Sequence, residues 1–243
     1  MCYNRYGNHM MIDVLLYIIL IFFAFFVCFV FCRPQSRNKS PTVTHQTIIP
    51  KKPLSEQETF GKRGEQQVSL MLKKVAESCG GHVFNDYTFA DQQGFSTNID
   101  HLLICKGGLF VIETKANKGL IYGNDNDDYW RAEKEPWQED KEFKNPVRQN
   151  QGHINHLRRM MGGKAPKIIS MVIFSAASSL AHVNSSCTYS LRSAYEYLIS
   201  KANEEKYSPQ TVERFRRILL IIQEEHGISI EEHNAIVRDR FSS

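Results

Sequence analysis

The stretch that most constrains this chain is Asn98 to Ala116, which reads NIDHLLICKGGLFVIETKA. Two apolar runs, rich in β-branched residues, flank Lys106-Gly107-Gly108. Strand, turn chemistry and strand in that order specify a β-hairpin. The hairpin carries three charged residues, Asp100, Glu113 and Lys115. Strand side chains alternate between faces, so Glu113 and Lys115 share one face and Thr114 takes the other. A turn at Lys106-Gly107 sets Asp100 opposite Glu113, and a turn at Gly107-Gly108 sets it opposite Lys115. Both registers put the three groups on one face, whereas a slip of one residue sends Asp100 to the far side.

Opposed side chains on paired strands lie roughly 5 Å apart, and two ionised carboxylates at that separation repel by about 3 kcal/mol at an effective dielectric of about 20. A positive charge has to offset this. Lys115 does so in part, and a divalent cation does so better, because carboxylate oxygens suit Mg²⁺. The plain alternative is a cross-strand ion pair on a solvated face. The surroundings of the hairpin decide between the two.

Upstream, Ser55 and Glu58 have capping-box spacing, and Phe60, Val68, Leu70, Met71, Val75 and Ala76 continue a helical stripe to about Cys79, where Gly80-Gly81 ends it. His82 to Phe89 reads as a strand and Asp91 to Gly94 as a loop. Downstream, Leu120 to Tyr122 and Tyr129-Trp130 read as short strands around the acidic turn Asn124 to Asp128. Asn145-Pro146 is a cap followed by a first-turn proline. The helix it opens buries Val147, Ile154, Leu157 and Met161, with Gln149 and His153 on a shared face. Ile168 to Phe174 has the length and composition of a buried parallel strand. Beyond Ser178, a strand is expected over Val183 to Leu191 and helices over Ala194 to Ala202, Ser208 to Glu225 and Ile230 to Arg240. This order predicts an α/β fold, a mixed β-sheet flanked by helices.

The N-terminal part is of another kind. Val14 to Cys32 is 19 residues without a charge, and 15 of them are Leu, Ile, Val or Phe. That is long enough to cross about 30 Å of hydrocarbon. It exceeds the apolar core of a cleaved signal peptide, and no small-x-small site follows it. An N-terminal transmembrane helix over residues 10–32 is expected. Arg33, Arg37, Lys39, Lys51 and Lys52 follow it and only Arg5 precedes it, which places the C-terminal bulk in the cytoplasm. Residues 33–54, with Pro34, Pro41, Pro50 and Pro53, form a linker. The domains expected are thus 10–32, 33–54, a catalytic-type domain over 55–176 and a helical C-terminal extension over 177–243. Six scattered cysteines without metal-ligand spacing indicate a reducing compartment. A net charge of +4 permits a nucleic-acid partner without demanding one.

From Phe60 to about Met161 the chain resembles the nuclease-related domain, NERD. The residues that carry the resemblance are Gly61, Gly64 and Glu65; Ile99, Asp100 and His101; Gly108 to Lys115 with its Glu113-Thr114-Lys115; Gly119; Trp130; and Asn145, Pro146, Gln149, Asn150 and His153. The family is grouped with the PD-(D/E)xK nucleases, so the resemblance implies a restriction-endonuclease-like sheet. Ile99 stands where the superfamily's name has Pro. The implied site has Asp100 and Glu113 binding Mg²⁺ or Mn²⁺, with the Thr114 backbone carbonyl a further ligand. Lys115 orients a water or neutralises charge on the phosphate, Glu65 assists metal binding, and Gln149 holds water or phosphate. Arg148, Arg158 and Arg159 are candidate phosphate contacts. His101 and His153 read as structural, and Trp130 and Trp137 as packing residues. The function implied is a membrane-anchored, metal-dependent nuclease hydrolysing DNA; the alternative is a catalytically weak nucleic-acid- or protein-binding module tethered to the membrane.

Overall fold

In the computed structural model, residues 55–134 and 139–241 are described. The expected transmembrane helix, the linker and Trp137 lie outside them. Among the described residues, no helix is long and apolar enough to cross a membrane.

The first helix, α1 (Glu56–Cys79), begins on the capping box read from the sequence. Glu58 N–H donates to Ser55 Oγ, and Ser55 N–H donates to Glu58 Oε2. It ends at Gly80, whose φ of 64° is left-handed and natural to glycine. Three strands follow: β1 (His82–Ala90), β2 (Ser96–Cys105) and β3 (Gly108–Lys115). Next come β4 (Gly119–Asn124), β5 (Tyr129–Glu133) and β6 (Lys141–Lys144), then α2 (Pro146–Met160) and β7 (Ile168–Phe174). The chain continues through β8 (Ser178–Asn184), β9 (Thr188–Ser190), α3 (Leu191–Ala202), α4 (Pro209–His226) and α5 (Ile230–Phe241).

The strands form two sheets, ordered β1-β2-β3-β7-β9 and β6-β5-β4-β8. In the first, β3 pairs antiparallel with β2 and parallel with β7. This central position explains why β3 is buried from Gly108 to Thr114 and why its sequence is nearly continuously apolar. One face packs on α1 and α3 through Val68, Leu72, Phe110, Ile112, Met171 and Leu198. The other packs on α2 and α4 through Leu102, Val111, Ile154, Leu157, Phe215 and Leu219. Trp130 of the second sheet stacks on Phe174, closing a third cluster with Ile121 and Ala132. The fold is therefore mixed α/β with helices on both faces, and it has two sheets rather than one.

The C-terminal part departs from expectation. Two strands, β8 and β9, occupy the region read as one strand over 183–191. The sequence Ser178–Asn184 alternates weakly and stays half exposed, so its period carries little signal. β6 was not expected at all; its four residues hold a single apolar side chain, Phe143. Helices α3 and α4 are part of the core. Tyr87 Oη donates to the Leu219 carbonyl at 2.6 Å inside the β1–α4 contact.

Candidate active site

Cys105 pairs with Gly108 and His101 with Ile112. Lys106-Gly107 is therefore the turn, and the register is the one that sets Asp100 across from Glu113. The backbone ladder stops at His101. The next N–H on β3, that of Thr114, donates to Asp100 Oδ2 at 2.7 Å. The carboxylate thus replaces a strand carbonyl, and the two strands part where the functional residues begin.

Glu113 and Lys115 point together toward α2, as strand alternation requires. Lys115 Nζ donates to Glu113 Oε1 at 2.7 Å and to Gln149 Oε1 at 3.0 Å. His153, one turn beyond Gln149, sets its Nε2 3.5 Å from Glu113 Oε2. That is an ion-pair distance, but neither atom completes a hydrogen bond among the described residues. Glu113 is only 3% exposed, so Oε2 is a buried acceptor without a donor, which is costly unless something else occupies it.

Two asparagines hold α2 in place. Asn145 Oδ1 accepts from the N–H groups of Val147 and Arg148, while its Nδ2 donates to the carbonyls of Asn124, Asp125 and Asp127. The fully buried Asn150 donates from Nδ2 to the carbonyls of Val111 and Met171 and to Ser170 Oγ. The helix is fastened at its start and to both strands beneath it, which fixes Gln149 over Lys115.

On the opposite side, α1 approaches closely at Gly64. A Cβ there would lie 2.3 Å from Ser175 Oγ and 3.3 Å from Ala116 Cβ. The bare glycine lets the helix rest on the ends of β3 and β7, and this brings Glu65 within the fields of Glu113 and Lys115.

The electrostatics divide the carboxylates. Burial, then the charge of Glu113, push Asp100 well above the ordinary carboxylate range. Burial acts on Glu113 in the same direction, but Lys115 and His153 outweigh it and hold Glu113 below that range. Burial, then Asp86, raise Glu65. Without a cation, the surroundings therefore favour the protonated form of Asp100 and the ionised form of Glu113 beside Lys115.

The structure gathers Asp100, Glu113, Lys115, Gln149 and Glu65 into one neighbourhood. Of the three arginines, Arg148 lines a cavity with Gln149, whereas Arg158 and Arg159 stand apart. Arg148 is ion-paired with Asp128. Arg158 and Arg159 are exposed near the end of α2, about 14 Å along the helix from Gln149. His101 is buried on Asn85 Oδ1 at 2.8 Å, and burial lowers its pKa to about 4, in keeping with a structural role. Trp130 donates to the Asn124 carbonyl and is core. Asp86 was missed. It is the lone non-glycine with positive φ, 49°, among the described residues, and it acts on Glu65. Its signal was Asn85-Asp86, a turn-forming pair inside a strand.

A metal fits this site on two observations: the donorless Glu113 Oε2 and the neighbouring Asp100 carboxyl. Among the described residues, no group of three or more His, Cys, Asp or Glu side chains is arranged to hold a metal ion. Mg²⁺ needs no such cage, because one or two carboxylates with water and phosphate suffice.

Comparison with known proteins places this segment beside a known family. The profile of the nuclease-related domain matches residues 60–175. An uncharacterised protein of Bacillus anthracis is 35% identical over 124 residues, which make up 51% of this chain and 57% of the relative. The chain thus spans little more than half of that relative's length. No solved structure matches the chain. The matched segment contains all five gathered residues, and residues 60–175 of this chain match the nuclease-related domain family, NERD.

Proposed function

We propose that this chain is a metal-dependent nuclease of the PD-(D/E)xK kind, which hydrolyses phosphodiester bonds of DNA and is held at a membrane by residues 10–32 with its folded part in the cytoplasm. The observation that carries the catalytic reading is Glu113. A buried carboxylate with one oxygen on Lys115 and the other without a donor, beside a second carboxyl, serves no evident purpose in packing. The membrane reading rests on the uncharged apolar run and its flanking lysines and arginines.

Asp100 and Glu113, with the Thr114 carbonyl, would hold Mg²⁺ or Mn²⁺. When bound, such an ion lowers the pKa of a ligated water and neutralises charge on the phosphate. The chain's own groups do the rest. Lys115, braced between Glu113 and Gln149, presents an ammonium to phosphate oxygens. Gln149 has an amide NH₂ to donate to water or phosphate. Glu65 adds negative charge next to the pair and favours cation entry. His153 backs Glu113 and fixes its orientation. Asp100 is positioned by the Thr114 N–H.

The test is cleavage by the full chain of labelled DNA and RNA, with Mg²⁺, with Mn²⁺ and with chelator. Wild-type protein is expected to cut DNA only with metal. Glu113→Gln, which keeps the shape, is expected to lose cleavage by about 10²-fold or more while staying folded. If wild-type protein cuts neither polymer and binds no divalent cation, the residues form a structural ion pair and the binding-module reading takes over. Release of the protein from membranes by an alkaline wash would overturn the anchor.

A further inference from the structure

We propose that the cleft between the first two turns of α1 and the β5–β6 edge of the second sheet binds the backbone of a single nucleic-acid strand leading away from the carboxylate site; this rests on the nuclease reading above. The cleft has a volume of about 470 Å³. Its walls include Gly61 and Phe60 from α1, Lys118 just after β3, and Lys134 and Lys141 from the second sheet. Among the described residues Glu56 is the one acid in its lining.

Both walls run directly into the site. Gly61 lies one helical turn before Glu65, and Lys118 lies three residues beyond Lys115, about 10 Å of extended chain. Lys141 pairs in register with Ala132, whose side chain faces the core, so Lys141 shares that inward face. Lys118 Nζ sits 4.2 Å from the centroid of the Phe60 ring.

These lysines differ from the paired part of the basic surface. Arg131 is taken by Asp140, Arg148 by Asp128, Arg216 and Arg217 by Glu213, and Lys201 by Glu204. Lys118, Lys134 and Lys141 form no ion pair among the described residues. Of the carboxylates that flank them in sequence, Glu133 and Asp140 are directed at Arg131. Unneutralised lysines spread along a groove suit a phosphate backbone, since they act as point charges and demand no fixed geometry. An aromatic side chain beside them matches the way single strands are held. The size favours one strand over a duplex: the volume is that of a small-ligand cleft.

Gly61 gives an independent reason. A Cβ there would meet nothing within 4 Å, and glycine inside a helix costs about 1 kcal/mol relative to alanine. Packing does not require this glycine, but an open cleft does.

The experiment is a salt titration of binding between full-length protein in chelator and a fluorescein-labelled oligothymidylate of about a dozen nucleotides. Two variants leave the carboxylate site untouched. Lys134→Glu with Lys141→Glu is expected to weaken binding by about tenfold or more and to lower the slope of log affinity against log salt by about 1.4, which is two phosphate contacts. Gly61→Leu is expected to weaken binding by filling the cleft without changing charge, with a melting temperature equal to or above wild type. Arg158→Glu with Arg159→Glu is expected to change little. If wild-type protein binds the strand and both cleft variants bind it as tightly with the same slope, the cleft is not the track, and the nuclease reading stands on its own cleavage result. If a duplex of the same length binds more tightly than the strand, the single-strand assignment is wrong. If wild-type protein neither binds nor cuts any nucleic acid, both proposals fall.

Discussion

Gly61 and Gly64 lie on the same helix, three residues apart, and differ in what stands over them. Replacing either with alanine gives the same gain in helix propensity, about 1 kcal/mol. At Gly61 nothing lies within 4 Å of the new methyl. Gly61→Ala is therefore expected to stabilise the protein by about 1 kcal/mol, or roughly 2–4 °C in melting temperature for a unit of this size. At Gly64 the methyl would meet Ser175 Oγ at 2.3 Å and two carbons, Ala116 Cβ and Ser175 Cβ, at 3.3 Å. The hydroxyl can rotate away, but only by giving up its 3.3 Å contact with the Lys115 carbonyl. The carbons cannot rotate away, and overpacking of this kind costs about 1–3 kcal/mol. Gly64→Ala is therefore expected to be neutral to about 2 kcal/mol destabilising, leaving a gap of about 1–3 kcal/mol between the two variants. Urea midpoints measured side by side give that gap directly, since propensity cancels. Equal shifts would mean that α1 does not rest on β3 and β7 as described. Because α1 carries Glu65, Gly64→Ala is also expected to lower cleavage, while Gly61→Ala leaves the position of Glu65 unchanged.

In chelator, stability is expected to fall as pH rises above the ordinary carboxylate range: native Asp100 keeps its proton where the unfolded chain has released it. Glu113 has the opposite sign, contributing stability above that range that is lost on acidification. Asp100→Asn isolates the first effect, and urea midpoints between about pH 5 and 8 should flatten; an unchanged slope would remove Asp100 as its source. Ending the chain after Tyr207 removes Val212, Phe215, Leu219 and Ile222, each 5% exposed or less. At about 1.5–3 kcal/mol per side chain this approaches the whole stability of a typical domain. The shortened protein is expected to lose cooperative unfolding in circular dichroism melts, and a normal melt would show that α4 is dispensable.

The sequence could be read best where local chemistry and packing ask for the same residue. Ser55 and Glu58 cap α1, and Asn145 and Pro146 open α2, because a cap is a short-range device. The hairpin face was readable because strand alternation is fixed by geometry. The turn was not settled, and the reason lies outside the hairpin. Gly107 would carry a Cβ 2.0 Å from the Lys201 carbonyl, and that of Gly108 would be 2.9 Å from the Lys167 carbonyl. Both glycines look like turn residues, yet each also makes room for a distant segment, so their pairing in sequence could not say which one turns. The arginines of α2 depend on partners that the sequence does not reveal: Arg148, in the first turn, pairs with Asp128 from the turn before β5. Asp86 carries its weight through its charge on Glu65, a meeting of distant segments that the Asn85-Asp86 turn signal does not reveal.

The Thr114 N–H bond to Asp100 has a consequence for reading related chains. A carboxylate there completes a strand ladder as well as a candidate catalytic pair, and an asparagine would complete the ladder equally well. Selection for folding alone would thus retain an acceptor at this position in a copy that had lost its chemistry. Glu113 has no such backbone duty: its Oε2 accepts no hydrogen bond among the described residues, and its charge is held by the neighbouring Lys115 and His153 side chains alone. In a lineage drifting toward inactivity, Glu113 is expected to be replaced before Asp100. The strand's second acidic position, rather than the better-known first one, is then the mark by which working and silent copies can be told apart.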